Sequence, residues 1–377
     1  MEHTIILKEE GYYNAFPSLD HLGDGRLVVG CTSSPFGDHL SLNPRPVLVS
    51  KDDGATWERS DDPILPPNWP GSTPREQSDR QSWIMPDGSF VGASTAGYEL
   101  WDLERRAEAE ARGLEAREHQ HIPGKLLVRS YQLVVIRSRD EGHTWDRRTW
   151  IVPGYGYVYG LARGTALEDG TLLYPVYARR KDRSCDSLLF RSTDGGETWR
   201  LHPAFPRVGS EWAIVEVSPG RLLGHIRSGY DWGDPEHPLI YALEVWSEDG
   251  GLTWTYPVET QFQGYPNHLL RLKDGRILCP FGYRRKPMGV RALISEDEGR
   301  SWDLEHEYVL RDDAGTASRQ WFPEDHGSGS PDVGYPLSTE LTDGSILTVY
   351  YITTSDATTH VAATRWHPDR DRVEVSN

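Results

Sequence analysis

The chain has 377 residues, with 57 acidic and 40 basic side chains and a formal net charge of −17. No basic stripe offsets repulsion from phosphates, so nucleic acid is excluded as a partner. Three widely spaced cysteines (Cys31, Cys185 and Cys279) exclude a disulfide framework or a cysteine metal site, and no apolar run is long enough for a signal peptide or a membrane span, so a cytoplasmic protein is expected.

The predicted elements begin with a strand, HTIILKE from His3. From there two motifs alternate along the chain. The first is a turn inside an apolar run: GDGRLVV at Gly23, PDGSFVG at Pro86, EDGTLLYP at Glu168, SPGRLLGH at Ser218, KDGRILCP at Lys273 and TDGSILTV at Thr342. Asp-Gly between strand-like segments signals a hairpin. The second follows each of the first five hairpins: SKDDGATW at Ser50, SRDEGHTW at Ser138, STDGGETW at Ser192, SEDGGLTW at Ser247 and SEDEGRSW at Ser295. In this S-x-D-x-G-x-[TS]-W frame, Ser and Asp side chains bond backbone amides. Gly permits a left-handed backbone, and Trp anchors the turn.

A repeat of roughly 60 residues with four short strands is a propeller blade. The expectation is therefore an all-β, six-bladed β-propeller with Asp-box turns, forming a single domain over 1–377. HTIILKE is expected to pair with the last segment, HVAATRW from His360. The segment 98–124 interrupts the pattern. Its Ala, Glu, Arg and Leu, with opposite charges at helical spacing, predict a helical insertion in blade two. This is a surface excursion, or else a dimer contact or a wall over the site, with His119 and His121 facing solvent.

Strand direction nominates a functional face. If the hairpin turns lie at one mouth, the starts of the inner strands and the turns after the second strands lie at the other. The inner-strand starts give Asn14 and Ala15, Arg80, Arg163, Glu211, Asn267 and His268, and Tyr335. The outer turns give Asp38, Arg179 and Arg180, Arg227, and Arg284 and Arg285. Carboxylates, a Tyr, a His and several Arg at one mouth suit clamping of an anionic sugar and acid/base chemistry. No metal ligand set and no cofactor motif is present.

With these motifs the chain resembles the sialidase superfamily, the retaining exo-sialidases and their BNR-repeat relatives, over nearly its whole length. The resemblance implies a Tyr nucleophile paired with Glu, an Asp acid/base and an arginine triad for the substrate carboxylate. EWAIVEVSPGRLLGHIR is similar to the segment carrying the Glu and the second triad Arg, which implies Glu211 and Arg227. GYPLSTELTDG implies Tyr335 as nucleophile. Asp38 stands at the place of the acid/base Asp, and Arg284 or Arg285 at that of the third Arg, ahead of Arg291.

One element departs from the family. YYNAFPSL has Ala15 where the first triad Arg is expected. Arg80, Arg163 or Arg45 then substitutes from elsewhere, or the sugar is a different one. His268 and Arg163 have no counterpart in the sialidase scheme.

The resemblance implies retaining exo-cleavage of a terminal acidic sugar. Two alternatives stay open. One is a lyase on uronic-acid glycans, with Tyr335 or His268 removing the C5 proton. The other is a non-catalytic glycan-binding propeller.

Overall fold

A computed structural model describes residues 1–22, 24–35, 46–60, 81–85, 87, 89–95, 98–129, 132–140, 144–151, 157–159, 164–179, 185–202, 208–228, 241–315 and 332–371. Of the sequence-nominated residues, Asp38, Arg45, Arg80, Arg163 and Arg180 lie outside the described residues.

The fold is all-β, a succession of antiparallel sheets, most of them four-stranded. The main sheets keep their strands in chain order. The first holds Asp20–His21, Leu27–Gly30, Val47–Ser50 and Glu58–Arg59, and the second Gln81–Ile84, Phe90–Thr95, Gln132–Ser138 and Asp146–Ile151. The third holds Tyr157–Tyr159, Leu172–Arg179, Cys185–Ser192 and Arg200–Leu201, and the fifth Leu270–Arg271, Ile277–Tyr283, Gly289–Ser295 and Tyr308–Arg311. The fourth runs Trp212–Ser218, Arg221–Arg227, Tyr241–Ser247 and Val258–Gln263. The last sheet breaks this rule. Val333–Glu340, Ile346–Thr353 and Thr359–Trp366 take their fourth strand from the start of the chain, where Glu2–Leu7 pairs with Thr359–Trp366. The pairing expected of the two chain ends is therefore present.

The hairpin turns form as their sequence dictates. Asp24, Asp169, Asp274 and Asp343 each accept the backbone amide two residues on. The Asp boxes form as well. In the third, Ser192 donates to Asp194 Oδ1 at 2.8 Å and accepts the Gly196 amide at 2.9 Å. Asp194 accepts both the amide and the hydroxyl of Thr198, and Trp199 donates to the Gly196 carbonyl at 3.1 Å. The first, fourth and fifth boxes repeat the Ser and Asp bonds.

The box glycine also sets how sheets meet. A Cβ on Gly196 would come within 2.7 Å of Val91 in the preceding sheet. One on Gly54, in the first box, would come within 2.8 Å of Leu347 in the last sheet. Both residues have positive φ, so the position needs Gly for backbone and for space. The core follows the same plan. Clusters of buried side chains join the second sheet to the third, the third to the fourth, the fourth to the fifth and the fifth to the last. A further cluster joins the last sheet to the first, through Leu347, Val349 and Tyr351 against Tyr13, Leu27 and Val29.

The segment 98–124 corrects the sequence reading. It holds one six-residue helix, Arg106–Ala111, after a single 3-10 turn. Its other elements are strands, Tyr98–Asp102 and Glu115–Glu118, which flank Lys125–Arg129 in a three-stranded sheet. The charges do have helical spacing, with Arg105 and Arg112 both paired to Glu108. Packing of Trp101, Ala109, Leu126 and Val128 outweighs propensity on either side. His119 is also not solvent-facing. It is 6% exposed, and its Nδ1 accepts the amides of His121 and Ile122 at 3.0 Å. His121 is exposed as expected.

Two outcomes follow. Gly54→Ala forces both a left-handed alanine and an overlap with Leu347, and lowers the unfolding free energy by about 1–3 kcal/mol in urea titrations. Acid has a defined direction. Bonds from the Thr56 hydroxyl and amide hold Asp52 below the usual carboxylate range. At Asp194, Asp249 and Asp297 partial burial pushes the carboxyl up, but the bonds from the box hydroxyls and amides outweigh it. Asp343, bonded by Ser345, is lowered to about 2. A depressed folded-state value adds stability above the unfolded value of about 4, and that stability is lost as pH falls through the folded value. The urea midpoint is expected to drop between about pH 4 and pH 2 and to be insensitive to these groups above that window.

Candidate active site

Three of the nominated residues meet although the chain separates them widely. Glu211 directly precedes Trp212–Ser218, and Arg227 ends the partner strand. The Arg227 amide donates to the Glu211 carbonyl at 2.7 Å, so the two residues face each other at the open end of the hairpin. Their side chains are paired, Arg227 Nη1 donating to Glu211 Oε2 at 2.8 Å. Tyr335 arrives from the last sheet. Its hydroxyl donates to Glu211 Oε1 at 2.5 Å, and Arg227 Nη1 lies 3.3 Å from the same hydroxyl. Glu211 is 8% exposed and Arg227 5%, so this ion pair is desolvated.

The backbone at Tyr335 is special. It has φ 51°, in the left-handed region that bulky residues avoid. The ladder slips there, with Gly334 opposite Tyr351 but Leu337 opposite Val349. A bulge of this kind re-aims a side chain. Strain of this sort costs about 1–3 kcal/mol and is held by its surroundings. Here those are aromatic. Phe16 meets the Tyr335 ring edge-on at 5.0 Å, and Tyr351 lies nearly parallel to it at 6.0 Å.

Electrostatics fix the protonation state of Tyr335. Burial pushes its phenol well above the ordinary value and the Glu211 charge pushes further, while Arg227 and Arg284 pull back. The phenol is neutral at physiological pH and is bonded to a carboxylate that can take its proton. That is the arrangement of an activated nucleophile.

Arg284 joins the site and Arg285 does not. Arg284 Nε donates to the Val333 carbonyl at 3.2 Å, and its guanidinium lies 5.7 Å from the Tyr265 ring. The Arg227 guanidinium lies over the same Tyr265 ring, 4.8 Å from its centroid. Arg285 is exposed. Arg291 is paired with Glu307 and stacked on Tyr283. His268 is 5% exposed, and its Nδ1 accepts the Ser338 amide at 3.2 Å, which ties it to the strand carrying Tyr335. Ala15 is fully buried in the first-to-last cluster, so this position brings no cation.

Phe16, Tyr265 and Tyr351 were missed from sequence. Tyr265 had a signal: GYP at Gly264 and GYP at Gly334 open the inner strands of consecutive sheets. Among the described residues no group of three or more His, Cys, Asp or Glu could hold a metal ion.

Comparison with known proteins bears on the family and the fold. Residues 120–348 match the BNR repeat-like domain family, and the chain belongs to that family. It is 27% identical over 207 residues to a sialidase of Bacteroides fragilis, a match covering 50% of this chain and 36% of that protein. The chain thus spans little more than a third of that curated relative. A Dyadobacter fermentans protein described as of unknown function superposes with a TM-score of 0.74 at 24% identity, covering 97% of this chain and 98% of that one. The NanB sialidase of Streptococcus pneumoniae superposes with a TM-score of 0.59 at 14% identity, covering 98% and 71%. These likenesses show a sialidase-like fold.

The buried pair predicts an asymmetry in stability. Arg227→Met leaves the Glu211 carboxylate buried without its cation and is expected to cost about 3–5 kcal/mol in chemical denaturation. Tyr335→Phe removes one hydroxyl bond and is expected to cost about 1 kcal/mol.

Proposed function

We propose that this BNR-family chain is a sialidase-like glycoside hydrolase that cleaves a terminal acidic sugar from the chain end with retention. The observation that carries this reading is the contact of Tyr335, Glu211 and Arg227. In the proposed reaction the Tyr335 oxygen attacks the anomeric carbon while Glu211 accepts the phenolic proton. The bond to the leaving oxygen breaks, and Asp38 protonates that oxygen. Water, deprotonated by Asp38, then attacks the anomeric carbon from the face that the leaving group vacated, opposite Tyr335. The bond to the Tyr335 oxygen breaks, and Glu211 returns the proton to it. Tyr nucleophiles are a recognised departure from paired carboxylates in glycoside hydrolysis. Arg227 and Arg284 hold the substrate carboxylate. Arg80 and Arg163 are the candidates for the charge that Ala15 lacks.

The fold part of the proposal is a single domain over 1–377. Its six successive sheets are the blades of a closed ring, with 98–124 inserted in the second. The cyclic order of the core clusters supports closure. Glu211, Arg227 and Tyr335 then line one mouth.

A lyase acting on a uronic-acid glycan is the second reading. The buried Ala15 favours it, because a triad for the sialic carboxylate lacks a member there. Tyr335 serves as its base better than His268, whose Nδ1 is committed to Ser338.

A fluorogenic sialoside distinguishes the two. Release of the fluorophore with a retained anomer by NMR is expected. Glu211→Gln should lower kcat by roughly 10²–10⁴-fold, and Tyr335→Phe by at least as much. Unsaturated-uronate absorbance without sialoside turnover would select the lyase, and Tyr335→Phe with full activity would remove the nucleophile assignment.

A further inference from the structure

Asp332 directly precedes the strand that carries Tyr335 and is 5% exposed. Its Oδ1 accepts the Tyr13 hydroxyl at 2.9 Å. Its Oδ2 accepts the Thr353 hydroxyl at 2.5 Å and the Thr359 hydroxyl at 3.0 Å. Its backbone is held as well, the Thr353 amide donating to the Asp332 carbonyl at 2.9 Å. One carboxyl thus ties the strand Tyr13–Ala15 to two strands of the last sheet.

Among the described residues no cation donates a hydrogen bond to it. Burial pushes the carboxyl up, and the bonds from Thr353, Tyr13 and Thr359 pull it back, as does the charge of Arg284. Burying such a group is costly, and an apolar residue would close the same hairpin at less cost.

What the carboxyl holds is the seat of Tyr335. Tyr13, fixed by its bond to Asp332, packs 6.4 Å from Tyr351 and 6.5 Å from Phe16. Those two rings are the ones that flank Tyr335. On the chain side, Asp332 anchors the residue that leads through Val333 and Gly334 into the bulge. Tyr335 itself lies where the ladder has slipped. Its hydroxyl is therefore located by its neighbours, and these converge on Asp332.

We propose that Asp332 is a positioning residue that sets the Tyr335 hydroxyl against Glu211 through the Tyr13 ring and the Val333–Gly334 backbone. This rests on the reading of Tyr335 as nucleophile. Asp332 does not touch substrate in this scheme. A displacement of the reacting oxygen by about 1 Å is enough to cost roughly 100-fold in rate.

The test uses Asp332→Asn, which keeps the shape, and Tyr13→Phe, which removes only the hydroxyl, so that one variant remains if the other fails to fold. Both are assayed with the fluorogenic acidic glycoside where circular dichroism shows a folded protein. The expected result is kcat lowered roughly 10- to 100-fold with KM within about twofold, because ground-state binding is untouched. A second readout needs no turnover. With Tyr335 replaced by 3-fluorotyrosine, the fluorine resonance of otherwise wild-type protein should shift or broaden in both variants. Unchanged kcat with an unchanged resonance overturns the proposal, as does an effect confined to thermal stability. If the protein turns over no acidic glycoside but the resonance moves, the positioning stands and the nucleophile reading falls.

Discussion

A four-stranded sheet that is apolar on both faces is stable only between two neighbours, and that requirement organises this molecule. From the second sheet on, each shares a buried cluster with the next, and the last shares one with the first. Two local devices meet the requirement. The box glycines let one sheet approach the side chains of the sheet before it, as Gly196 does with Val91 and Gly54 with Leu347. The strand Glu2–Leu7 completes the sheet at the other end of the chain. Because the first and last sheets must meet, a residue near the start and residues near the end become neighbours. Phe16 against Tyr335 is one consequence. The contact between Glu211 and Tyr335, 124 residues apart, instead joins the fourth sheet to the last.

The site is built against local preference, and its surroundings supply what the local chain does not. Tyr335 adopts a left-handed backbone in a slipped ladder, where glycine would be the easier choice. Phe16 shares that conformation with φ 52°. Two strained aromatics in edge contact are what remains when sheet packing fixes both strands and one hydroxyl is brought to a carboxylate. Natural sequences break local rules at such places.

Legibility in the sequence follows the range of the interaction. An Asp box closes within seven residues of its Ser, so the sequence contains every partner and the predicted bonds are present. Glu211, Arg227 and Tyr335 were legible for a different reason. Regular sheets have a fixed direction, and counting from a hairpin turn tells which strand ends lie together. Phe16 and Tyr351 were not legible, because they act through packing between strands that no local pattern relates. The segment 98–124 misled for a physical reason. Charges spaced for a helix say nothing of the apolar surface of Trp101, Leu126 and Val128, which decides in favour of strands on both sides of one short helix. His119 was misjudged alongside it, since its ring folds back onto the amides of the turn.

The pairing of a neutral phenol with a buried ion pair has a chemical logic of its own. Under the proposed reading the substrate brings a carboxylate close to the attacking group. A carboxylate nucleophile would meet it as a like charge in a poorly solvated site, where such repulsion is strong. Tyr335 avoids this, since burial and Glu211 keep its phenol protonated until it reacts. When the proton passes to Glu211, the negative charge moves from carboxylate to phenolate oxygen over a single hydrogen bond. The sum over Tyr335, Glu211 and Arg227 stays at zero before and after. Arg227 Nη1 touches both Glu211 Oε2, the partner of the oxygen that takes the proton, and the hydroxyl that gains the charge. No new charge has to be created in the buried site for the nucleophile to form, so the cost of activation is the proton transfer alone.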